Sequence, residues 1–249
     1  MSNKTFLAGL PNALTLANLF CGLVVATAIL TGAVELHSMW VVYGVFGCFL
    51  FDFLDGFVAR LLRVHSELGK QLDSLADMVS FGVVPGVMVF AMLLHGHDLT
   101  TMGTASAAQM GFRGALFGFV IPVFSALRLA KFNLDTRQTD HFIGLPTPAN
   151  TGIVLGLWVA GDSYFGAYLP LALYLIAPVL SLLLIAELPM ISNKFRGSSW
   201  TGNELRYLLL FALVIGLLVW GGYAFAPLGL LYILISVAIW LRGRGSMAA

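Results

Sequence analysis

Apolar runs long enough to cross a bilayer recur almost from end to end of this chain, and that repetition restricts its fold more than any other feature. A spanning helix needs roughly 17–25 predominantly apolar residues. Inside the hydrocarbon every backbone N–H and C=O must also be paired within the helix or around a closed barrel. Runs near 12–31, 38–62, 70–95, 112–132, 147–161, 168–186, 205–222 and 226–242 meet or approach the helical requirement, the fifth being the shortest. Only 10% of the residues are charged, against about 25% for a soluble domain, and the mean hydropathy is +0.92. The expected fold is therefore all-α: a polytopic transmembrane helical bundle of about eight helices, one integral membrane domain over 1–249. The net charge of +1 is scattered over loops and forms no basic face, so it gives no sign of nucleic acid, and no such partner is expected. Cys21 and Cys48 fall inside apolar runs and read as packed thiols. No cleavable signal peptide is expected, because the first apolar run continues to spanning length without a clear small-residue cleavage site.

Basic residues orient the bundle. Lys4, Arg63, Lys70, Lys131, Arg137, Lys194, Arg196, Arg206, Arg242 and Arg244 lie on one set of alternate loops and at the termini. The opposite loops hold Glu35, His37, His95, His97, Asp98 and Asp162, with Arg113 the one basic exception. The positive-inside rule then places both termini in the cytoplasm. The five histidines are divided between the two sides (His65 and His141 on the cytoplasmic one) and suggest no metal site.

Against this apolar background, the stretch DFLDGFVARLLRVHSELGKQLDSLAD (52–77) is densely charged. A single aspartate there could simply sit at a helix end, solvated by headgroups or paired with Arg60, Arg63 or Lys70. Four aspartates at set spacings argue for more. Asp52 and Asp55 are three residues apart, Asp73 and Asp77 four apart, so each pair shares one helix face. A short turn around 63–69 makes the two helices an antiparallel hairpin, and both pairs then fall at similar depth. Converging carboxylates repel one another unless a cation holds them. Hard oxygen donors without His or Cys select Mg²⁺, Mn²⁺ or Ca²⁺ and suit a two-metal clamp on a phosphate. Gly56 leaves room for a ligand beside the second helix, and Arg60 can neutralise a phosphate or snorkel to the interface. Gly69 is expected to open the third helix.

The spacing Asp52-x2-Asp55-Gly56-x2-Ala59-Arg60-x8-Gly69-x3-Asp73-x3-Asp77 resembles, at every position, the signature of the CDP-alcohol phosphotransferase family. That resemblance implies a six-helix catalytic core, here with two further C-terminal helices, and transfer of a phosphoalcohol group from a CDP-linked donor to a hydroxyl with release of CMP. It further implies that Asp52, Asp55, Asp73 and Asp77 hold two divalent ions, Mg²⁺ or Mn²⁺, that Asp77 is also the general base, and that Gly56, Arg60 and Ser66 contact the CDP moiety. A homodimer is implied as well. Upstream, PNALTLAN resembles the entry to the family's first helix. Pro11 suits a first helical turn. Asn12, Thr15 and Asn18 form a polar stripe that either bonds a neighbouring helix or walls the cytidine and metal site.

The acceptor is read from SALRLAKFNLD (125–135) and FIGLPTPAN (142–150). These resemble the phosphatidylserine synthase branch of the family, with Lys131 where arginine is common. Arg128 lies about one turn inside the fourth helix, where an arginine is rare and is usually paired or functional. The branch resemblance implies CDP-diacylglycerol as donor and L-serine as acceptor, with Arg128 on the serine carboxylate and Lys131 and Asn133 nearby. Gly144, Pro146 and Pro148 read as a stiff structural turn. Glycerol 3-phosphate or inositol phosphate stays open as an alternative acceptor, an ether-linked archaeal lipid as an alternative donor, and a cation transporter as a rival of another class. The catalytic part is expected over 11–150 and a C-terminal scaffold over 165–249. The setting is an integral protein of the cell's inner membrane, in contact with membrane lipid, its active site facing the cytoplasm.

Overall fold

The computed structural model describes residues 3–64, 66–96, 111–135, 142–191 and 203–247. His65, His97, Asp98, Arg137, His141, Lys194 and Arg196 lie outside the described residues, as do the side chains of Lys4, Arg242 and Arg244.

Helix α1 (Asn3–Leu30) starts before the apolar run, so Pro11 lies inside it rather than in its first turn. A proline forfeits one intrahelical bond. That loss falls beside Gly9, where the spanning part begins, and there water and headgroups can satisfy the freed carbonyl. Helix α2 (Met39–Leu62) begins at Ser38, whose hydroxyl accepts from Trp40 N at 3.3 Å. It closes in a Schellman turn: Arg63 N–H donates to Arg60 O at 3.2 Å and Val64 N–H to Ala59 O at 3.0 Å. Arg63 takes the left-handed conformation there (φ 52, ψ 39), at a cost of about 1 kcal/mol for a residue with a side chain. Ser66 caps α3 (Glu67–Asp77), accepting from Gly69 N at 2.9 Å. Gly69 is thus in the first turn of a helix that starts at Glu67.

A π-helical turn (Met78–Val83) follows Asp77 at once and leads into α4 (Val84–Gly96). Every residue of α4 from Val84 to Leu93 is buried, which makes it the centre of the bundle. Helix α5 (Val120–Leu134) leaves a 3₁₀ turn, Leu116–Phe119, and packs on the π turn. A Cβ on Gly118 would stand 2.6 Å from Phe90 N, so only glycine permits this crossing against α4.

The rest of the chain comprises α6 (Thr147–Phe165), α7 (Leu169–Ile185), α8 (Glu204–Trp220) and α9 (Phe225–Met247). Helix α6 packs back on α7, and α8 on α9. Two residues of β1 (Phe142–Ile143) pair antiparallel with two of β2 (Pro189–Met190), Phe142 opposite Met190. Helix α9 docks on α6 so closely that a Cβ on Gly156 would meet Ala226 N at 2.2 Å.

By length and composition, 6 segments of the described residues can cross a membrane, fewer than the eight expected. The difference lies in the last two, Thr147–Ile185 and Glu204–Leu241, of 39 and 38 residues. At 1.5 Å per residue each is about twice as long as a roughly 30 Å hydrocarbon layer. Each also breaks at a glycine of positive φ, Gly166 (52°) and Gly221 (56°). Large apolar side chains cover the outside, among them Phe20, Trp40, Phe53, Leu171 and Leu218. A surface of that kind is stable only in lipid; the chain is an integral membrane protein.

At the end remote from the aspartates, His37 stitches the α1–α2 loop to α6. Its Nδ1 meets the carbonyl oxygen of Trp158, and its Nε2 stands 2.9 Å from Asp162 Oδ2. The buried Trp158 returns the contact, its Nε1 donating to Ser38 O at 3.3 Å.

Candidate active site

The tight turn between α2 and α3 sets the geometry of the carboxylates. Asp55 lies seven residues before the end of α2 and Asp73 six after the start of α3, about 10 Å from the turn in each case. One oxygen from each of Asp52, Asp55 and Asp73 falls within 4.8 Å of the others. The Asp77 carboxyl faces that of Asp52 at hydrogen-bonding distance, and Asp77 Oδ1 is buried without a partner among the described residues. Asp55 is itself buried.

Helix α1 forms the third wall. Thr15 Oγ1 lies 2.6 Å from Asp55 Oδ2 and 3.1 Å from Pro11 O. Its one proton goes to the nearer, charged acceptor. Asn12 lies over the start of α3: a Cβ on Gly69 would stand 3.0 Å from both Asn12 Oδ1 and Ser66 Oγ. Asn18 is fully buried, and both polar atoms of its amide lack partners among the described residues. Its main-chain oxygen accepts from Ser80 Oγ, at 3.1 Å, in the π turn. Gly56 leaves space that the Arg60 guanidinium fills, for a Cβ there would lie 3.2 Å from Arg60 Nη1.

Arg128 on α5 is 7% exposed. Its Nη1 donates to Thr147 Oγ1 at 3.3 Å, and its guanidinium carbon lies 5.4 Å from the centre of the Phe132 ring. It interacts electrostatically with Asp77 and Tyr232, while its Nε is buried without a partner among the described residues. Asn133 ties α5 to α3: its Nδ2 donates to Ser74 Oγ at 2.8 Å, and its main-chain oxygen accepts from Lys70 Nζ at 3.4 Å. Lys131 and Ser66 differ from these. Both are exposed, and the Ser66 hydroxyl already serves as a helix cap.

The sequence reading missed Ser74, Thr147, Phe132 and Tyr232. Ser74 lies beside Asp73, and Thr147 within the GLPTPAN stretch, so position alone could have marked those two. Gly144 has φ 80, and a Cβ on it would come 2.4 Å from Leu184 O; the turn before α6 therefore requires glycine there.

The donor set fits a divalent cation. All its close members are hard carboxylate oxygens without thiol or imidazole, and Asp77 offers an orphaned oxygen at its edge. Uncompensated, so many carboxylates in a largely buried place would be expensive. An apolar groove is lined by Met78, the residue after Asp77, with Pro122, Val123, Ala126 and Leu127.

Residues 8–241 match the family model described as CDP-alcohol phosphatidyltransferase. Among relatives, the chain is similar to the CDP-diacylglycerol–serine O-phosphatidyltransferase of Bacillus subtilis, 31% identical over 139 residues, 56% of this chain and 69% of that one. It is 36% identical over 145 residues to the protein of that name from Helicobacter pylori strain J99, covering 55% of this chain and 56% of the relative. The protein of that name from Methanocaldococcus jannaschii is 30% identical over 220 residues, 86% of this chain and 90% of its own length. The chain thus spans little more than half of the H. pylori relative and nearly all of the archaeal one. With a model match over almost its whole length and carboxylates gathered at the spacing described, the chain belongs to the CDP-alcohol phosphatidyltransferase family.

Proposed function

We propose that this protein transfers the phosphatidyl group of CDP-diacylglycerol to the hydroxyl of L-serine, giving phosphatidylserine and CMP. One observation carries the reading: a carboxylate cluster fit for metal has at its edge Asp77, which interacts electrostatically both with that cluster and with the buried Arg128. Asp52, Asp55, Asp73 and Asp77 would hold two ions, Mg²⁺ or Mn²⁺. When bound, these supply charge to stabilise the pyrophosphate and the departing CMP.

The chain's own groups do the rest. Asp77 takes the proton of the serine hydroxyl as that oxygen bonds to the phosphatidyl phosphorus, and the bond from phosphorus to the bridging oxygen breaks with its electrons going to CMP. Arg128 receives the serine carboxylate in its fork, with Asn133 fixing α5 against α3. Lys131 would add positive charge at the mouth, since it is exposed. Asn12, Thr15, Asn18, Gly56, Arg60 and Ser66 would face the cytidine diphosphate, and the groove at Met78 suits an acyl chain of the donor. One buried guanidinium matches a carboxylate better than a phosphorylated acceptor, which would call for several cations. The distribution of basic loops supports a cytoplasmic site in the inner membrane with both termini inside. A homodimer completes the proposal on the strength of the family resemblance.

The test is release of CMP by detergent-purified protein given CDP-diacylglycerol, Mn²⁺ or Mg²⁺ and a panel of alcohols. Serine-dependent release that EDTA stops is the expected result. Release with glycerol 3-phosphate or inositol phosphate but not serine would overturn the choice of acceptor.

A further inference from the structure

Helix α3 carries Asp73 and Asp77 and α5 carries Arg128, yet α5 packs chiefly on the π turn and α7, with little contact to α3 itself. The two helices are tied instead by a closed ring of hydrogen bonds. Ser74 Oγ donates to Lys70 O, one turn back on α3, at 3.2 Å. A hydroxyl has one proton, so with that proton committed Ser74 Oγ can only accept from α5. It accepts from Asn133 Nδ2 at 2.8 Å, which fixes the way round of the Asn133 amide. Lys70 Nζ closes the ring by donating to Asn133 O at 3.4 Å. Ser74 directly follows Asp73 and lies one helical turn before Asp77, on the face they share. Asn133 follows Arg128 by little more than a turn.

We propose that Ser74 is a positioning residue: through Asn133 it locks α5 in register with α3, and so holds Arg128 and the acceptor at the height of Asp77 and the metal carboxylates. The effect on turnover rests on the phosphotransfer reading above; the lock between the helices does not. With so little packing between α3 and α5, the ring resists sliding or twisting of one helix against the other. A displacement on the order of 1 Å can cost about 10²-fold in rate. The groups that bind each substrate stay on their own helices, so loss of the lock acts on the step that joins the two substrates rather than on the binding of either.

Ser74→Ala removes the hydroxyl and keeps a good helix former. It is expected to lower kcat about 10–100-fold. The KM values for serine and CDP-diacylglycerol should stay within about 2-fold of wild type, and the Tm should fall by no more than about 4 °C. Affinity for Mn²⁺, titrated by the EPR signal of the free ion, should be unchanged. Ser74→Thr keeps a hydroxyl at the same place and should restore kcat to within about 3-fold. Asn133→Ala cuts the same ring from the other helix, so the double variant should be no slower than the slower single one. An unchanged kcat in Ser74→Ala, a serine KM that rises as much as kcat falls, a Ser74→Thr variant as slow as Ser74→Ala, or full additivity would each overturn the proposal. So would a loss of Mn²⁺ affinity matching the loss of kcat, which would make Ser74 a prop of the metal site. Leu75 and Leu134, exposed neighbours of the bonded pair, give a readout that needs no acceptor. With spin labels at both positions, in a Cys21→Ala/Cys48→Ala background, Ser74→Ala should broaden or shift the distance distribution between α3 and α5. An unchanged distribution overturns the lock. Release of CMP by the wild-type protein with a different alcohol, or with none, overturns the reading of the reaction instead, and the distance measurement still decides the role of Ser74.

Discussion

The two ends of the bundle treat their polar groups in opposite ways. At the end with His37, most partners are found locally: imidazole Nδ1 with the Trp158 carbonyl, indole with Ser38 O, Tyr164 OH with Tyr223 O at 2.8 Å, and His37 Nε2, which makes no hydrogen bond among the described residues, still 2.9 Å from the Asp162 carboxylate. At the aspartate end, Asp77 Oδ1, Arg128 Nε and the whole Asn18 amide are buried with no partner among the described residues. Unpaired buried polar groups cost about 1–3 kcal/mol each, so a fold retains them where a ligand will complete them. Fully paired groups hold structure together; orphaned ones mark the place where chemistry enters.

Three substitutions can break or sharpen this contrast. Asp77→Asn removes the base while keeping shape, and turnover should fall by about 10²–10⁴-fold. Affinity for the CDP-lipid, read by equilibrium binding, should stay close to wild type. Substantial surviving turnover would take Asp77 out of the role of base. Arg128→Ala should raise the serine KM about 10–100-fold, as expected for a lost charge-assisted pair, with the donor KM far less affected. Kinetics at varied serine and fixed lipid check this; an equal rise in both KM values would make Arg128 a general prop. The smallest effect belongs to the opposite end. Asp162 is 66% exposed, and such pairs contribute about 0–1 kcal/mol. Asp162→Asn should lower Tm by only about 1–3 °C and leave kcat/KM for serine unchanged, whereas a large loss of activity would mean that the two ends are coupled.

Much of the helical scaffold was legible because the bilayer dictates it. The second span, expected over 38–62, is Met39–Leu62, and the fourth, expected over 112–132, lies within Gly111–Leu134. The meeting of Asp52, Asp55 and Asp73 was legible in part for a local reason: helical spacing and a short turn put the pairs at similar depth, while α1, on which both helices pack, brings their faces together. What stayed hidden depended on long-range crossings. Arg128 is held by Thr147, and no periodicity records how α5 meets the start of α6. His37 and Asp162 belong to the same class. Ser66 shows the converse. A hydroxyl in a conspicuous place between two motif aspartate pairs serves first as a helix cap, a role that its neighbours Glu67 and Gly69 already favour.

The π turn between Asp77 and Val84 has a consequence for how this span can vary. Each residue inserted into an α-helix rotates everything beyond it by about 100°, and a π turn is the usual form such an insertion takes. Up to Asp77 the facing of side chains is governed by the packing of α3 on α1. From Val84 onward it is governed by the packing of α4 at the centre of the bundle. The wide turn takes up the angular mismatch between these two demands. The core around Met88 and Leu93 can therefore be repacked without swinging Asp73 and Asp77 off their shared face, whereas deleting a single residue between 78 and 83 would force one half of the span to turn against the other.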